Sequence, residues 1–310
     1  MKNFLSRIVD LATGGESGTT GNLSWRISGE TLTIKGTGAM PDYKSSTSPW
    51  RPYRKSITAV VIDNGVSCIG NRAFYKFHGL TSVTIPDSVI TIGNSAFSGC
   101  RDLISVTIPH SVTTINYGAF YDCGLTSVTI PHSVIAIGDG AFFRCNDLTS
   151  VTFDSIEDIA VPNPLTTIPS RAFAGCRSLT SITIPHSVTT IRSGAFSGCR
   201  SLTSITIPDE VTTIRSGAFS GCRSLTSITL PNSLTFIGNY VFSDCHRLTE
   251  IINHATTPLT IDDKVFNNMD KTTCTLRVPA DSVDAYQTAE VWKEFRVTGL
   301  MSAPVNPKNI

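Results

Sequence analysis

The chain has 310 residues, 40% of them hydrophobic and 16% charged, with a formal net charge of +1. That is enough apolar material for a core and too little net charge for bulk attraction to nucleic acid or an anionic membrane. No apolar run approaches the roughly 20 residues that span a bilayer, which excludes a hydrophobic transmembrane helix.

In residues 1–12, Phe4, Leu5, Ile8 and Leu11 fall near one face of a helix and form a candidate anchor. Arg7 and Asp10 interrupt the unbroken apolar stretch of roughly 7–15 residues that a secretory signal needs. Residues 13–21 are rich in Gly, Ser and Thr, so positions 1–20 are expected as an amphipathic segment and a flexible linker. Residues 21–56 are expected as a β-hairpin. Leu23, Trp25, Ile27, Leu32 and Ile34 alternate with polar residues as a hairpin's buried face does.

From residue 57 to 273 one unit recurs. Leu179 to Ser201 is followed at once by Leu202 to Ser224, a period of 23 residues, and the two copies differ only at His186/Asp209 and Ser187/Glu210. Copies begin at Ile57, Leu80, Leu103, Leu125, Leu148, Leu179, Leu202, Leu225 and Leu248. One is a residue short at Gly124, and another carries an insertion within 154–164. Such self-similarity predicts one elongated stack whose copies bury their apolar faces against one another.

Within a copy, Leu80-x-x-Val83-x-Ile85 predicts a strand that Pro86 ends, because proline has no N–H for a ladder. Val89 and Ile92 belong to a second extended piece. Residues 94–100 fit a helical turn with Ala96, Phe97 and Cys100 inward and Gly99 helping the chain reverse. The phenylalanine column (Phe74, Phe97, Phe120, Phe142, Phe173, Phe196, Phe219, Phe242) is expected as a spine of stacked rings. Residues 274–300 are expected to close the C-terminal end, with Asp281 or Ser282 starting a short helix that stops before Trp292. Residues 301–310 read as a tail.

The pattern L-x-x-[VI]-x-[IL]-P-x-S-[VL]-x-x-I-x-x-x-A-F-x-x-C over about residues 57–250 resembles the BspA-type leucine-rich repeat of bacterial surface proteins. Residues 22–41 resemble that family's N-terminal hairpin. Residues 274–286, with Trp292 and Phe295, resemble its C-terminal cap. The resemblance implies a leucine-rich repeat solenoid of short parallel strands plus helical turns, with a hairpin cap and a strand-helix cap. It further implies extracellular recognition of a host, matrix or cell-surface protein or glycan, with no enzyme activity and no cofactor.

Four features compete as sites. Seven of the nine cysteines share one column (Cys100, Cys123, Cys145, Cys176, Cys199, Cys222, Cys245), lack zinc spacing and are expected as packed free thiols. A ridge after each strand-ending proline carries Asp87, His110, His132, His186, Asp209 and Asn232, either as a solvated line or as a metal- or pH-responsive patch. The outward strand positions Thr84, Thr107, Thr129, Thr183, Thr206 and Thr229 form a candidate hydroxyl face suited to weak multivalent contact. Arg101, Arg177, Arg200, Arg223 and Arg247 end their copies, with Arg192 and Arg215 before the Ala-Phe pair, a stripe suited to solvent or to a phosphate- or sulfate-rich partner. No phosphate loop, nucleophile elbow or metalloprotease helix occurs. The alternative to free recognition is a peripheral subunit of a phage virion, tail or secretion appendage, docked through residues 1–12.

Overall fold

A computed structural model describes residues 15–44, 47–154 and 164–300. The candidate anchor residues Phe4, Leu5, Ile8 and Leu11, the tail, and most of the insertion lie outside the described residues.

The described chain winds as a parallel solenoid with three sides. One side, the strand face, carries Thr31–Gly36, Ala59–Ile62 and Ser82–Thr84, then Ser127–Ile130, Ser150–Phe153 and Ser181–Ile182. It continues through Ser204–Thr206, Ser227–Leu230, Glu250–Asn253, Thr275–Val278 and Arg296–Gly299. Each strand pairs with its counterpart one copy away in the register the repeat dictates, as in Val128 opposite Val151 and Ile205 opposite Ile228. The second side stacks short Thr-Ile strands such as Thr190–Ile191 and Thr213–Ile214. Prolines stand at the corner between these sides, where no ladder bond is needed.

The strand face is not one unbroken ladder. No strand forms over residues 105–107, in the coil that is one residue short at Gly124, and Ser181–Ile182 does not pair with Ser204–Thr206. On the second side the ladder breaks between Ala136–Ile137 and Thr167–Ile168, the two strands that flank the insertion.

The third side departs from the expected helical turn. It is a run of tight turns, as in Ala96 N–H to Gly93 O (3.2 Å), Ser98 to Ser95 (3.2 Å) and Cys100 to Phe97 (3.1 Å). Left-handed residues stand four positions apart, at Ser95 (φ 52°) and Gly99 (φ 78°), and every second N–H points along the stack. The N–H groups of Ser95, Phe97 and Gly99 therefore donate to Tyr117, Ala119 and Tyr121 of the next coil at 2.9, 2.8 and 2.7 Å. A helix would have spent those donors within its own turn.

Inside, the columns are closed to solvent: Leu179, Val188, Ile191, Ala195, Phe196 and Cys199 each have 0% exposure. The phenylalanine rings stack at centroid separations from 5.2 Å (Phe74–Phe97) to 5.8 Å (Phe219–Phe242). The spine runs one ring further at each end than the repeat pattern indicates. Trp50 stacks on Phe74 at 5.8 Å, and Phe266 on Phe242 at 5.4 Å. Offset aromatic pairs of this kind each contribute about 0.5–1.5 kcal/mol beyond their buried area.

The sequence ahead of the array contributes an extra strand. Ser17–Thr20, expected as linker, pairs antiparallel with Leu23–Ser28, which in turn pairs with Thr31–Gly36. Gly18 permits this because a Cβ there would sit 3.0 Å from the Trp25 ring, and the Thr20 hydroxyl bonds the Tyr43 phenol at 2.8 Å. At the other end the helix Val283–Thr288 follows Ser282, whose hydroxyl makes no cap bond. The buried indole of Trp292 donates to the Leu259 carbonyl at 2.8 Å.

Candidate functional site

The ridge residues sit at the corner between the first two sides. Asp87, His110, His186, Asp209 and Asn232 are exposed and His132 is half-buried. Rather than facing one another, two of the histidines stand beside carboxylates: His110 Nε2 lies 3.8 Å from Asp154 Oδ2, and His186 Nδ1 lies 3.7 Å from Glu210 Oε2. Among the described residues no three His, Cys, Asp or Glu side chains are grouped to hold a metal ion.

The serine beside each ridge residue has backbone work. Ser88, Ser111, Ser133, Ser187 and Ser233 donate to the carbonyls of Val66, Val89, Val112, Leu165 and Val211 at 2.7–2.8 Å. Glu210 replaces the serine in one copy and turns to His186 instead.

On the strand face, Thr84, Thr129 and Thr206 lie within strands with exposed side chains. Thr229 is half-buried, Thr107 lies where no strand forms, and Thr183 follows immediately after Ser181–Ile182. The column then ends. Ile252 and Arg277 succeed Thr229, and Arg277 pairs with Glu250 at 2.6 Å.

The cysteine column faces inward. Each thiol lies 3.1–3.3 Å from the carbonyl of a phenylalanine one coil earlier, as in Cys123 to Phe97 and Cys199 to Phe173. Burial pushes the thiols up, to about 12 for Cys145, Cys199 and Cys245. A thiol held protonated is neither a nucleophile nor a metal ligand. All nine cysteines are free.

The turn side carries two features, of which the repeat pattern discloses one. Its arginines are exposed. Arg101 is spent on Asp122 at 2.8 Å. Arg171, Arg177, Arg192, Arg200, Arg215 and Arg223 have no carboxylate partner among the described residues.

Aromatic side chains join them where other copies carry small residues. Tyr117 is 61% exposed, and Tyr121 stacks on Phe143 at 5.1 Å, with the Arg144 guanidinium 5.4 Å from the Phe143 ring. Tyr117, Tyr121, Asp139, Phe143, Ser170 and Arg171 line a shallow groove, which continues past Arg144, Arg177 and Arg200 over a floor of glycine and serine. These aromatics occupy turn positions that the repeat consensus leaves free, so the repeat pattern does not disclose them. The signal available was the replacement of Asn94 and Ser98 by Tyr117 and Tyr121 one copy on.

Among the described residues no helix is long and apolar enough to cross a membrane. No curated protein matches the sequence. Solved structures do. A leucine-rich repeat protein from Eubacterium ventriosum is 25% identical over 92% of this chain and 85% of its own, with a TM-score of 0.54. The T. pallidum leucine-rich repeat protein is 28% identical over 69% of this chain and 89% of its own, with a TM-score of 0.51. A leucine-rich repeat protein from Bacteroides ovatus, 21% identical over 91% of this chain and 90% of its own with a TM-score of 0.54, shares the fold. The model of the BspA type leucine rich repeat region matches six copies over residues 67–159 and 153–273, and with the in-register coils described above this places the chain in the BspA-type leucine-rich repeat family.

Proposed function

We propose that this protein is a non-catalytic recognition module that acts outside its cell of origin and binds a protein or glycan through the sides of its solenoid. The observation that carries this reading is the register. Coil after coil sets the same kind of side chain at the same height, so any exposed column is a line of like groups. Catalysis needs a few unlike groups converging on one reacting atom. A line of like groups instead suits a partner that is itself extended or repetitive, where many weak contacts add. The seven cysteines of the repeat column are buried, and burial holds their thiols protonated.

Family membership supports the same reading, since BspA-type repeats are repeats of bacterial surface proteins and no enzymatic family is indicated. The test is capture of the purified full chain on arrays of matrix proteins and glycans at physiological salt. Saturable, unmodified binding to at least one class is the expected result. No retention on any surface, or release of a cleaved product from one, overturns the proposal.

A further inference from the structure

The turn side changes character along the stack. In the second left-handed position of each coil the chain carries Lys76, Gly99, Asp122 and Arg144, then three glycines in a row, Gly175, Gly198 and Gly221, then Asp244. The glycines have φ of 74°, 71° and 71°, a conformation in which any Cβ is strained. They leave the floor bare over three coils. A Cβ on Gly198 would already be 3.8 Å from the Gly175 backbone, and one on Gly221 3.6 Å from that of Gly198. The neighbouring floor positions are Ala174, Ser197 and Ser220. The floor therefore carries only small side chains, and the long side chains at the margins of this groove are, Phe143 apart, arginines.

Arg144, Arg171, Arg177 and Arg200 line the groove, and Arg223 continues the Arg177 and Arg200 column. None has a carboxylate partner among the described residues. From residue 164 to 243 the only carboxylates are Asp209 and Glu210, and both belong to the opposite corner with the ridge. Asp139, beside Arg171 where the groove meets the tyrosines, adds one carboxylate to the lining, so the local balance of charge is still more cationic than the net charge of +1 suggests. The coils repeat at the ring-stack spacing of 5.4–5.7 Å, so successive guanidinium groups in a column recur at regular intervals.

We propose that this groove binds a linear anionic polysaccharide, its sulfate or carboxylate groups held by Arg171, Arg177 and Arg200. The proposal rests on the recognition reading above and names the ligand class and the side used. The planar guanidinium fork matches a sulfate or carboxylate in a bidentate way that a lysine cannot reproduce. A single-stranded nucleic acid also offers regular negative charge, but it gains much of its affinity from bases stacked on open ring faces. Between Phe143 and Tyr240 no aromatic side chain lines the turn side, and Phe143 itself is covered by Tyr121 and Arg144. A bare polar floor between cationic margins suits a hydroxyl-rich chain instead.

The experiment titrates the full chain with fluorescent heparin octasaccharide (sulfated) and hyaluronan octasaccharide (carboxylate only) at physiological salt. The triple variant Arg171→Ser, Arg177→Ser, Arg200→Ser is compared with Arg54→Ser, Lys55→Ser, Lys76→Ser. The second variant removes the same charge from the other basic cluster, near the N-terminal end. All six side chains lie on the surface or at its margin, and circular dichroism of each variant checks the fold.

The proposal expects binding of one or both glycans, weakened at least about tenfold by the groove variant and no more than about twofold by the control. Binding of heparin alone assigns the site to sulfate; binding of both assigns it to the anionic group in general. Equal losses in the two variants, or tighter binding of oligo-dT than of either glycan, overturns the proposal. So does the absence of glycan binding while the arrays still capture a matrix protein, an outcome that leaves the recognition reading standing.

Discussion

Each of the seven cysteines in the repeat column donates its S–H to a phenylalanine carbonyl that the turn has directed into the core, and the consequence is measurable with pH. Burial raises Cys199 from its ordinary value of 9.0 to about 12. An acid whose pKa is higher in the folded state contributes stability that is fully present below the unfolded value and lost as pH rises toward the folded one. The window is thus from about pH 9 to about pH 12. The unfolded chain sheds the proton there while the folded chain keeps it. Folding stability is expected to fall with rising pH by about 1.4 kcal/mol per unit per thiol in that window. Urea titrations at pH 8 and pH 10 check this against Cys199→Ala, which deletes one titrating thiol without adding volume to the column. The gap between the two proteins should shift by about 1.4 kcal/mol in favour of the variant at the higher pH; an unchanged gap refutes the assignment. Sequence alone placed these cysteines in the core, because seven equivalent positions cannot all be paired or ligating. Their donor role was not legible. The acceptor lies 26 residues earlier in the chain, and its carbonyl points inward only because of turn geometry.

The turns of the third side impose a polarity that determines what the array's ends must supply. N–H groups there donate toward the C-terminus of the stack, so the first coil presents three carbonyls, those of Asn71, Ala73 and Tyr75, with no preceding coil to serve them. The segment ahead of the array fills all three. The Tyr43 N–H donates to Asn71 at 2.9 Å, the Trp50 indole to Ala73 at 2.8 Å, and the Arg51 guanidinium to Tyr75. At the far end Tyr240, Phe242 and Asp244 find the carbonyls of Lys264, Val265 and Asn267 at 2.9–3.1 Å. Trp50 thus has two tasks, a ring for the spine and a donor for a buried carbonyl, and they can be separated. Trp50→Phe keeps a ring but leaves the Ala73 carbonyl unserved, at an expected cost of about 1–3 kcal/mol. Trp50→Ala loses both and is expected to cost about 3–5 kcal/mol. Denaturant midpoints, with hydrogen exchange of the Arg72 to Phe77 amides as a local readout, distinguish the two; equal costs would mean that the donor contributes nothing. The strands and the ring spine were legible because their columns repeat. The turn reads as helix because Ala-Phe-x-x-Cys has helical spacing; the glycines at both left-handed positions of two copies, Gly194 with Gly198 and Gly217 with Gly221, are the signal against it, which copies with Ser95 or Asp122 at such a position obscure.

As a whole the molecule is a one-dimensional stack in which each coil meets only its neighbours, and its stability should behave as a sum of coil and interface contributions. The near-identical copies make this testable without redesign. Removing residues 202–224 joins Ser201 to Leu225 and brings together surfaces that already fit. Thr190–Ile191, which pairs with Thr213–Ile214, would meet Phe236–Ile237, the partner that Thr213–Ile214 now has. Phe196 would stack on Phe242 as Phe219 does at 5.8 Å. The N–H groups of Gly194 and Phe196 would find the carbonyls of Asn239 and Val241, which now accept from Gly217 and Phe219 at 2.9 and 3.0 Å. The bonds that the excised coil made to the coil after it are replaced by bonds of the same kind from the coil before it, and the segments at both ends of the array are untouched. The shortened chain is expected to fold cooperatively, with a denaturant m-value lower by about 7%, the share of 23 residues in 310. It should be less stable by one coil and one interface. A control deletion of 12 residues from the same copy, 202–213, puts every later column out of phase and should not fold. Unfolding of the 23-residue deletion, or folding of the 12-residue one, would show that the columns are held by something other than contact with the coil next door.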